Sequence, residues 1–326
     1  MCAFQSNQSL GPSLSIFTVG VAGDSGSGKT TFTNALVDIF GSKQVSTISL
    51  DDYHLYDRQE RAKRGITPLS YEANDFDRLI RDINKLKEGK PIKKPVYIHA
   101  TGTFSDPVPF YPPSFLILEG LHTFSLPELR QLLDYSIFVD PDTEIKYLWK
   151  SRRDLTSRNY KKEQVQDEIK RRESDYLIFV HPQRAFADSV IQIHPSQFLK
   201  DADHKPMYQV DLCLSHPEEC IRDIELNIDI FSLLSASHLD FLLLCGTRII
   251  DSRSLRTLTF DGEILHETVK KIEQNIEEQT GVHPINIFSE CKIINAIDLV
   301  RLLLSWRIIN RRNTIGMPQP VYIIND

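Results

Sequence analysis

The sequence predicts an α/β fold, a mostly parallel sheet flanked by helices and extended by further strands from the C-terminal third. Two observations carry this. Short apolar runs alternate with helical stretches through the first 200 residues, the pattern of strands covered on both faces. One junction, "GDSGSGKTTF" (Gly23–Phe32), is a glycine-rich turn set between a strand-like run and a helix-like one.

The elements follow in order. "SIFTVGVAG" reads as a buried strand ending at Gly23. "KTTFTNALVDIF" spaces Phe32, Leu36, Ile39 and Phe40 as one helical face, and Gly41 can end it. "QVSTISL" is a second strand leading to Asp51, and "DFDRLIRDINKLKEGK" is a helix. "FLILEG", "YSIFVD" and "SVIQI" read as further buried strands. In such a sheet the site lies at the carboxyl ends of the strands, here marked by Gly23, Asp51, Glu119 and Asp140. After about residue 200 the alternation stops. "KPMYQVDLCLS", "LDFLLLC" and "SLRTLTF" read as strands without helices between them. Helices near 263–279 and 292–312 and a last β-like "VYIIN" complete the chain. The expected organisation is a core over residues 1–200 with a basic lid at about 143–185. Residues 201–326 then form a sheet extension with covering helices in the same domain.

Bulk properties exclude several classes. With 41% apolar residues the 326-residue chain can bury a sizeable core. A net charge of −6 gives no basic footprint for nucleic acid. No apolar run approaches the roughly 18 residues of a membrane span, and "MCAFQSNQSL" lacks the regions of a signal peptide. Cys2, Cys213, Cys220, Cys245 and Cys291 are scattered without a CxxC, which suits reduced thiols in a cytoplasmic protein.

Gly23, Gly28, Lys29 and Thr30 complete G-x-x-x-x-G-K-[ST] between a strand and a helix. Glycines let successive N–H groups wrap an anion, and the helix N-terminus adds partial positive charge. The expected ATP-binding residues are Gly23, Asp24, Ser25, Gly26, Ser27, Gly28, Lys29, Thr30 and Thr31. Lys29 would meet the β- and γ-phosphates, and the Thr30 hydroxyl would complete an Mg²⁺ shell. The loop alone fits a small-molecule kinase, a GTPase or an ATP-driven machine. In "SLDDYHLYDR", Asp51 and Asp52 follow the second strand, where a carboxylate can accept a proton from an attacking alcohol. The competing reading is a pair of turn-capping acids. Glu119 ends "FLILEG", a position that suits an Mg²⁺-ordering acid or a salt-bridged one. Between Lys146 and Arg172 stand ten Lys/Arg against four acids. On a helix Lys150, Arg153, Asp154 and Arg158 share a broad face, which fits a phosphate-clamping lid or a solvated helix surface.

The segments "LDDYHLYDR", "ANDFDRL", "PVYIHATGTF", "LILEGLH", "LLDYSIFVD" and "WKSRRD" occur in an order that resembles the phosphoribulokinase family, from about residue 15 to about 190. The C-terminal third matches it only loosely, and the chain looks closer to the shorter archaeal-type members. The resemblance implies MgATP-dependent phosphorylation of D-ribulose 5-phosphate at its 1-hydroxyl, with a homodimer as partner state. It implies Asp51 as base, Glu119 as metal-site acid, and Lys150 and Asp154 as lid residues needed for chemistry. It places His54, Arg58 and Arg153 on the sugar phosphate with Tyr97 and His99 lining that site, and Arg158 joins them on the lid. A uridine kinase-like or other small-alcohol kinase, and a non-catalytic nucleotide-binding regulator, are the alternatives. Plant-type members carry regulatory cysteines where this chain has Ser27 and Ser49, so the resemblance implies activity that ignores thiol redox state.

Overall fold

A computed structural model describes residues 16–157, 172–198, 206–215, 239–280, 288 and 291–316. Its main sheet has nine strands, ordered β11-β10-β8-β7-β6-β1-β5-β2, with β9 also paired to β10. The half centred on β1 is parallel: β1 (Phe17–Gly23), β2 (Val45–Ser49), β5 (Phe115–Gly120), β6 (Tyr135–Pro141) and β7 (Ser189–Pro195). The remainder is antiparallel: β8 (Tyr208–Leu214), β9 (Phe241–Ile250), β10 (Arg253–Leu265) and β11 (Ile293–Asn295). The sheet is therefore mixed, and the change of direction comes at β7–β8, where the helical crossovers end.

Period-two burial explains why helices lie on both faces. Phe17, Val19 and Val21 of β1 and Phe115 and Ile117 of β5 face one cluster with Phe32, Leu36 and Ile39 of α1 (Lys29–Phe40). Leu116 and Leu118 of β5 face the other way, onto Leu79, Ile83 and Leu86 of α3 (Phe76–Lys87). Each such buried side chain contributes about 1.5–3 kcal/mol. Asp75 caps α3 by accepting from the Arg78 N–H at 3.0 Å. Two late helices, α6 (His266–Thr280) and α7 (Ala296–Thr314), join the α1 face, with Val300, Leu304 and Ile308 of α7 fully buried. The short α2 (Arg58–Arg64) and α4 (Pro127–Gln131) and the longer α5 (Thr143–Ser157) lie between strands in chain order.

One expectation needs correction. The stretch near 292–312 opens as strand β11 and becomes helical only at Ala296, because Asn295 caps α7 by accepting from the Asp298 N–H at 3.0 Å. The "PVYIHATGTF" segment spans the turn of a hairpin, β3 (Ile92–Ile98) with β4 (Thr103–Phe110), that stands outside the main sheet. The "VYIIN" strand lies outside the described residues. No helix among the described residues is long and apolar enough to cross a membrane.

The β7–β8 joint carries a polar stripe. His194 lies 2.9 Å from Asp142 and 3.2 Å from the fully buried Asp211, which also pairs with Arg248 at 2.5 Å. The Asp211 hydrogen bond raises the His194 pKa above 6.5, with Asp142 adding to it. A folded-state pKa above the unfolded value stabilises fully below 6.5, and that contribution disappears as pH rises through the folded pKa. Thermal denaturation should therefore show the melting temperature of wild type falling as pH rises from 6.5. His194→Gln should flatten that decline, and an unchanged slope would show that the stripe does not titrate.

Candidate active site

The loop after β1 is built by its glycines. Gly26 and Gly28 hold φ of 86° and 89°, and Gly28 is the N-cap of α1. Side chains there would also collide with α5. A Cβ on Gly26 would stand 2.8 Å from the Lys150 Cβ, and one on Gly28 2.8 Å from Trp149. Lys146, Trp149, Lys150 and Arg153 thus form the α5 face against the loop, with the three- and four-residue spacing of one helix side. Lys146 pairs with Asp24 at 2.9 Å, and Arg153 donates to the Ser25 hydroxyl at 3.1 Å. Burial would raise the Asp24 pKa, but Lys146 beside it holds the carboxyl below its ordinary value. Lys29 curls back, donating to the Gly23 carbonyl at 3.1 Å and the Asp24 carbonyl at 2.7 Å. Burial lowers its pKa, opposed by Glu119, Asp24 and Asp51. The Thr30 hydroxyl donates to Glu119 Oε1 at 2.9 Å.

The loop opens into a cavity of about 1080 Å³ that Asp51 also lines. Asp51 sits in a tight turn, Leu50–Tyr53, directly after β2. Its oxygens lie 3.4 Å from His54 Nε2 and 3.2 Å from His99 Nε2, and its side chain is 29% exposed. Burial would raise its pKa, yet the bonds to both histidines hold it well below 3.8. His54 is oriented from behind by Asn74 at 2.9 Å. The neighbouring Asp52 serves a different end. It is 8% exposed, accepts from the Tyr97 N–H at 2.8 Å and pairs with Lys94, so it ties β3 to the turn.

The opposite wall comes from α2 and the hairpin. Asp57 and Glu60 form a capping box at 2.8 and 3.2 Å that starts α2 at Arg58. Arg58 donates to the His99 carbonyl at 2.5 Å. Arg61, one turn later, donates to the Tyr97 hydroxyl at 2.8 Å and to the Tyr56 carbonyl at 2.5 Å.

Of the expected residues, Ser25, Gly26, Gly28, Lys29, Thr30, Thr31, Asp51, His54, Arg58, Tyr97, His99, Glu119 and Arg153 line this one cavity. Gly23, Asp24 and Ser27 shape the loop from outside the lining. Lys150 is 5% exposed and borders a smaller cavity of about 130 Å³ with Asp24 and Tyr176, so its side chain lies behind the loop. Asp154 lies on α5, and Arg158 falls outside the described residues. Sequence reasoning missed Arg61, Trp149 and the hairpin. The Asp57-x-x-Glu60 pattern could have revealed α2 and put Arg58 and Arg61 on one face.

A glycine-rich strand–loop–helix turn, a carboxylate held ionised beside it and a wall bearing Arg58 and Arg61 line one connected cavity. A model of the phosphoribulokinase/uridine kinase family matches residues 18–200. The chain belongs to that family. Among its relatives there, the phosphoribulokinase of Synechocystis sp. is 39% identical over 190 residues, 58% of this chain and 57% of that protein. The chloroplastic phosphoribulokinase of Triticum aestivum is 36% identical over 213 residues, 60% of this chain and 53% of that one. The chain therefore spans about half the length of these curated relatives. A uridine kinase of Bacillus cereus is 33% identical over 181 residues, 53% of this chain and 84% of that protein. The solved phosphoribulokinase from Rhodobacter spheroides shares the fold, with a TM-score of 0.52 at 20% identity over 92% of this chain and 100% of that one. In this family member the matched segment runs from β1 to just past β7 and contains every expected site residue, while β8 to β11 lie beyond it.

Proposed function

We propose that this family member transfers the γ-phosphoryl group of ATP to the 1-hydroxyl of D-ribulose 5-phosphate, giving ribulose 1,5-bisphosphate. The carrying observation is that Asp51, ionised and flanked by His54 and His99, shares one cavity with the phosphate loop. Asp51 takes the hydroxyl proton while the loop amides and Lys29 hold the nucleotide phosphates. Arg58, with Arg61, Tyr97 and His99 around it, receives the acceptor's own phosphate, and Arg153 reaches in from α5. Asp154, on α5, and Arg158, outside the described residues, are assigned to the same lid, and Lys150 is assigned to the migrating group. A hydroxyl and a carboxylate, Thr30 and Glu119, are the hard oxygen donors that suit Mg²⁺. When bound, Mg²⁺ neutralises phosphate charge. The names of the cyanobacterial and plant relatives support this substrate.

A coupled ADP-release assay across ribulose 5-phosphate, ribose 5-phosphate, uridine and glycerate tests the reading. Ribulose 5-phosphate should exceed uridine by about 10²-fold or more in kcat/KM, because an acceptor without a phosphate forgoes the charge-assisted hydrogen bonds that Arg58 and Arg153 offer. Equal or better turnover of uridine would sink it.

The same proposal includes a cytoplasmic homodimer joined through β9. Among the described residues β9 pairs with β10 alone, and Leu244 and Ile249 on it are 54% and 82% exposed. An edge strand of ten residues whose outer side has no partner among the described residues is a template for a second copy. Light scattering should give twice the chain mass for wild type and a single chain mass for Leu244→Lys/Ile249→Lys. A monomeric wild type would end the dimer proposal.

A further inference from the structure

Sheet order fixes which way a nucleotide lies in the cavity. The loop follows β1. On one side stand β5 and then β2, whose end carries Asp51, and on the other stand β6, β7 and β8. Phosphoryl transfer needs the terminal phosphate on the Asp51 side, so the nucleoside extends toward β6–β8. What meets it there is Trp149. The indole lines the main cavity together with Gly28 and Thr31, and its six-membered ring covers Gly28. Its N–H donates to the Tyr208 hydroxyl at 2.8 Å, and the two rings meet edge to face, 5.2 Å apart at 82°.

We infer that Trp149 is the surface on which the nucleotide's base rests, and that Tyr208 of β8 is the positioning residue that holds the indole there. This rests on the nucleotide reading above. A half-buried tryptophan is a costly side chain to leave at a cavity wall, and its flat ring suits any nucleobase, since every base presents a π-face. The contact also gives the C-terminal strands a part in the site: Tyr208 lies beyond the segment that matches the family model.

The test separates base from phosphate. Calorimetry on the full chain compares ADP with inorganic tripolyphosphate, which has no base. Trp149→Ala should weaken ADP by about tenfold, the scale of one lost base–aromatic stack, and leave tripolyphosphate within about twofold. Tyr208→Phe, which keeps the ring and removes the acceptor, should weaken ADP in the same selective way. Fluorescence gives a second readout, because the chain has only two tryptophans. Among the described residues the Trp306 indole nitrogen has no hydrogen-bond partner, so Trp306→Phe removes the other emitter without breaking such a bond there. In that variant ADP should change the emission of Trp149 and tripolyphosphate should not. Equal loss of both ligands in Trp149→Ala would overturn the inference and leave Trp149 as a prop for the loop. A wild-type chain that bound tripolyphosphate and ADP equally well would also overturn it while sparing the loop. One that bound neither would remove the nucleotide reading itself.

Discussion

Asp51→Asn should lower turnover of ribulose 5-phosphate by about 10²–10⁴-fold while ADP affinity stays within a few-fold. The substitution keeps shape and hydrogen-bonding reach and removes the basic oxygen. Asp52 cannot take over, because its two oxygens already hold Lys94 and the Tyr97 N–H. The two histidines keep the Asp51 carboxyl well below 3.8, so it is ionised throughout the neutral range. Any fall in wild-type rate between pH 7 and pH 5 should therefore persist in form in the variant, since Asp51 does not produce it. Steady-state kinetics with calorimetry checks both parts. A variant keeping most of its activity would show that the acceptor proton leaves by another route.

Lys29→Met should reduce kcat/KM for ATP by about 10²–10³-fold or more, the scale for losing one fixed charge on a transferring group. Its ammonium is held by two loop carbonyls, at 3.1 and 2.7 Å, and is within electrostatic reach of Glu119 and Asp51. In the proposed complex, phosphate oxygens take the place of those carbonyls. Methionine preserves the stem and its packing, so the fold should survive, which circular dichroism checks. A rate within tenfold of wild type would mean that the loop amides carry the phosphate charge without the side chain.

The parallel half of the sheet was readable because each strand is a short apolar run followed by a helix with clear spacing. β1 and α1 fall where the pattern puts them, Phe17–Gly23 and Lys29–Phe40. The placement of the glycine-rich loop and of Asp51 was readable for a related reason: both follow directly on short apolar strands, β1 and β2. The hairpin was not. Residues 103–110 of β4 are nearly all exposed, so no alternation of burial marks them. Pro95 also interrupts the register of β3. Trp149 was hidden inside a run of charge, where its neighbours suggested a solvated face. Choosing between Asp51 and Asp52 needed the cross-strand partners of Asp52, which are 42 and 45 residues away.

The β3–β4 hairpin stands apart from the nine-stranded sheet and is fastened to the turn and to α2 through Asp52 and Arg61. It contributes Tyr97 and His99 to the cavity wall, and its two ends, Ile92 and Phe110, pack into the cluster shared by β5 and α3, while the loop after β1 takes no residue from it. On the proposed reading the hairpin is an exchangeable panel anchored at both ends in the core. Changing which alcohol is phosphorylated is then a matter of refitting the residues between those anchors, with the loop after β1 left as it stands.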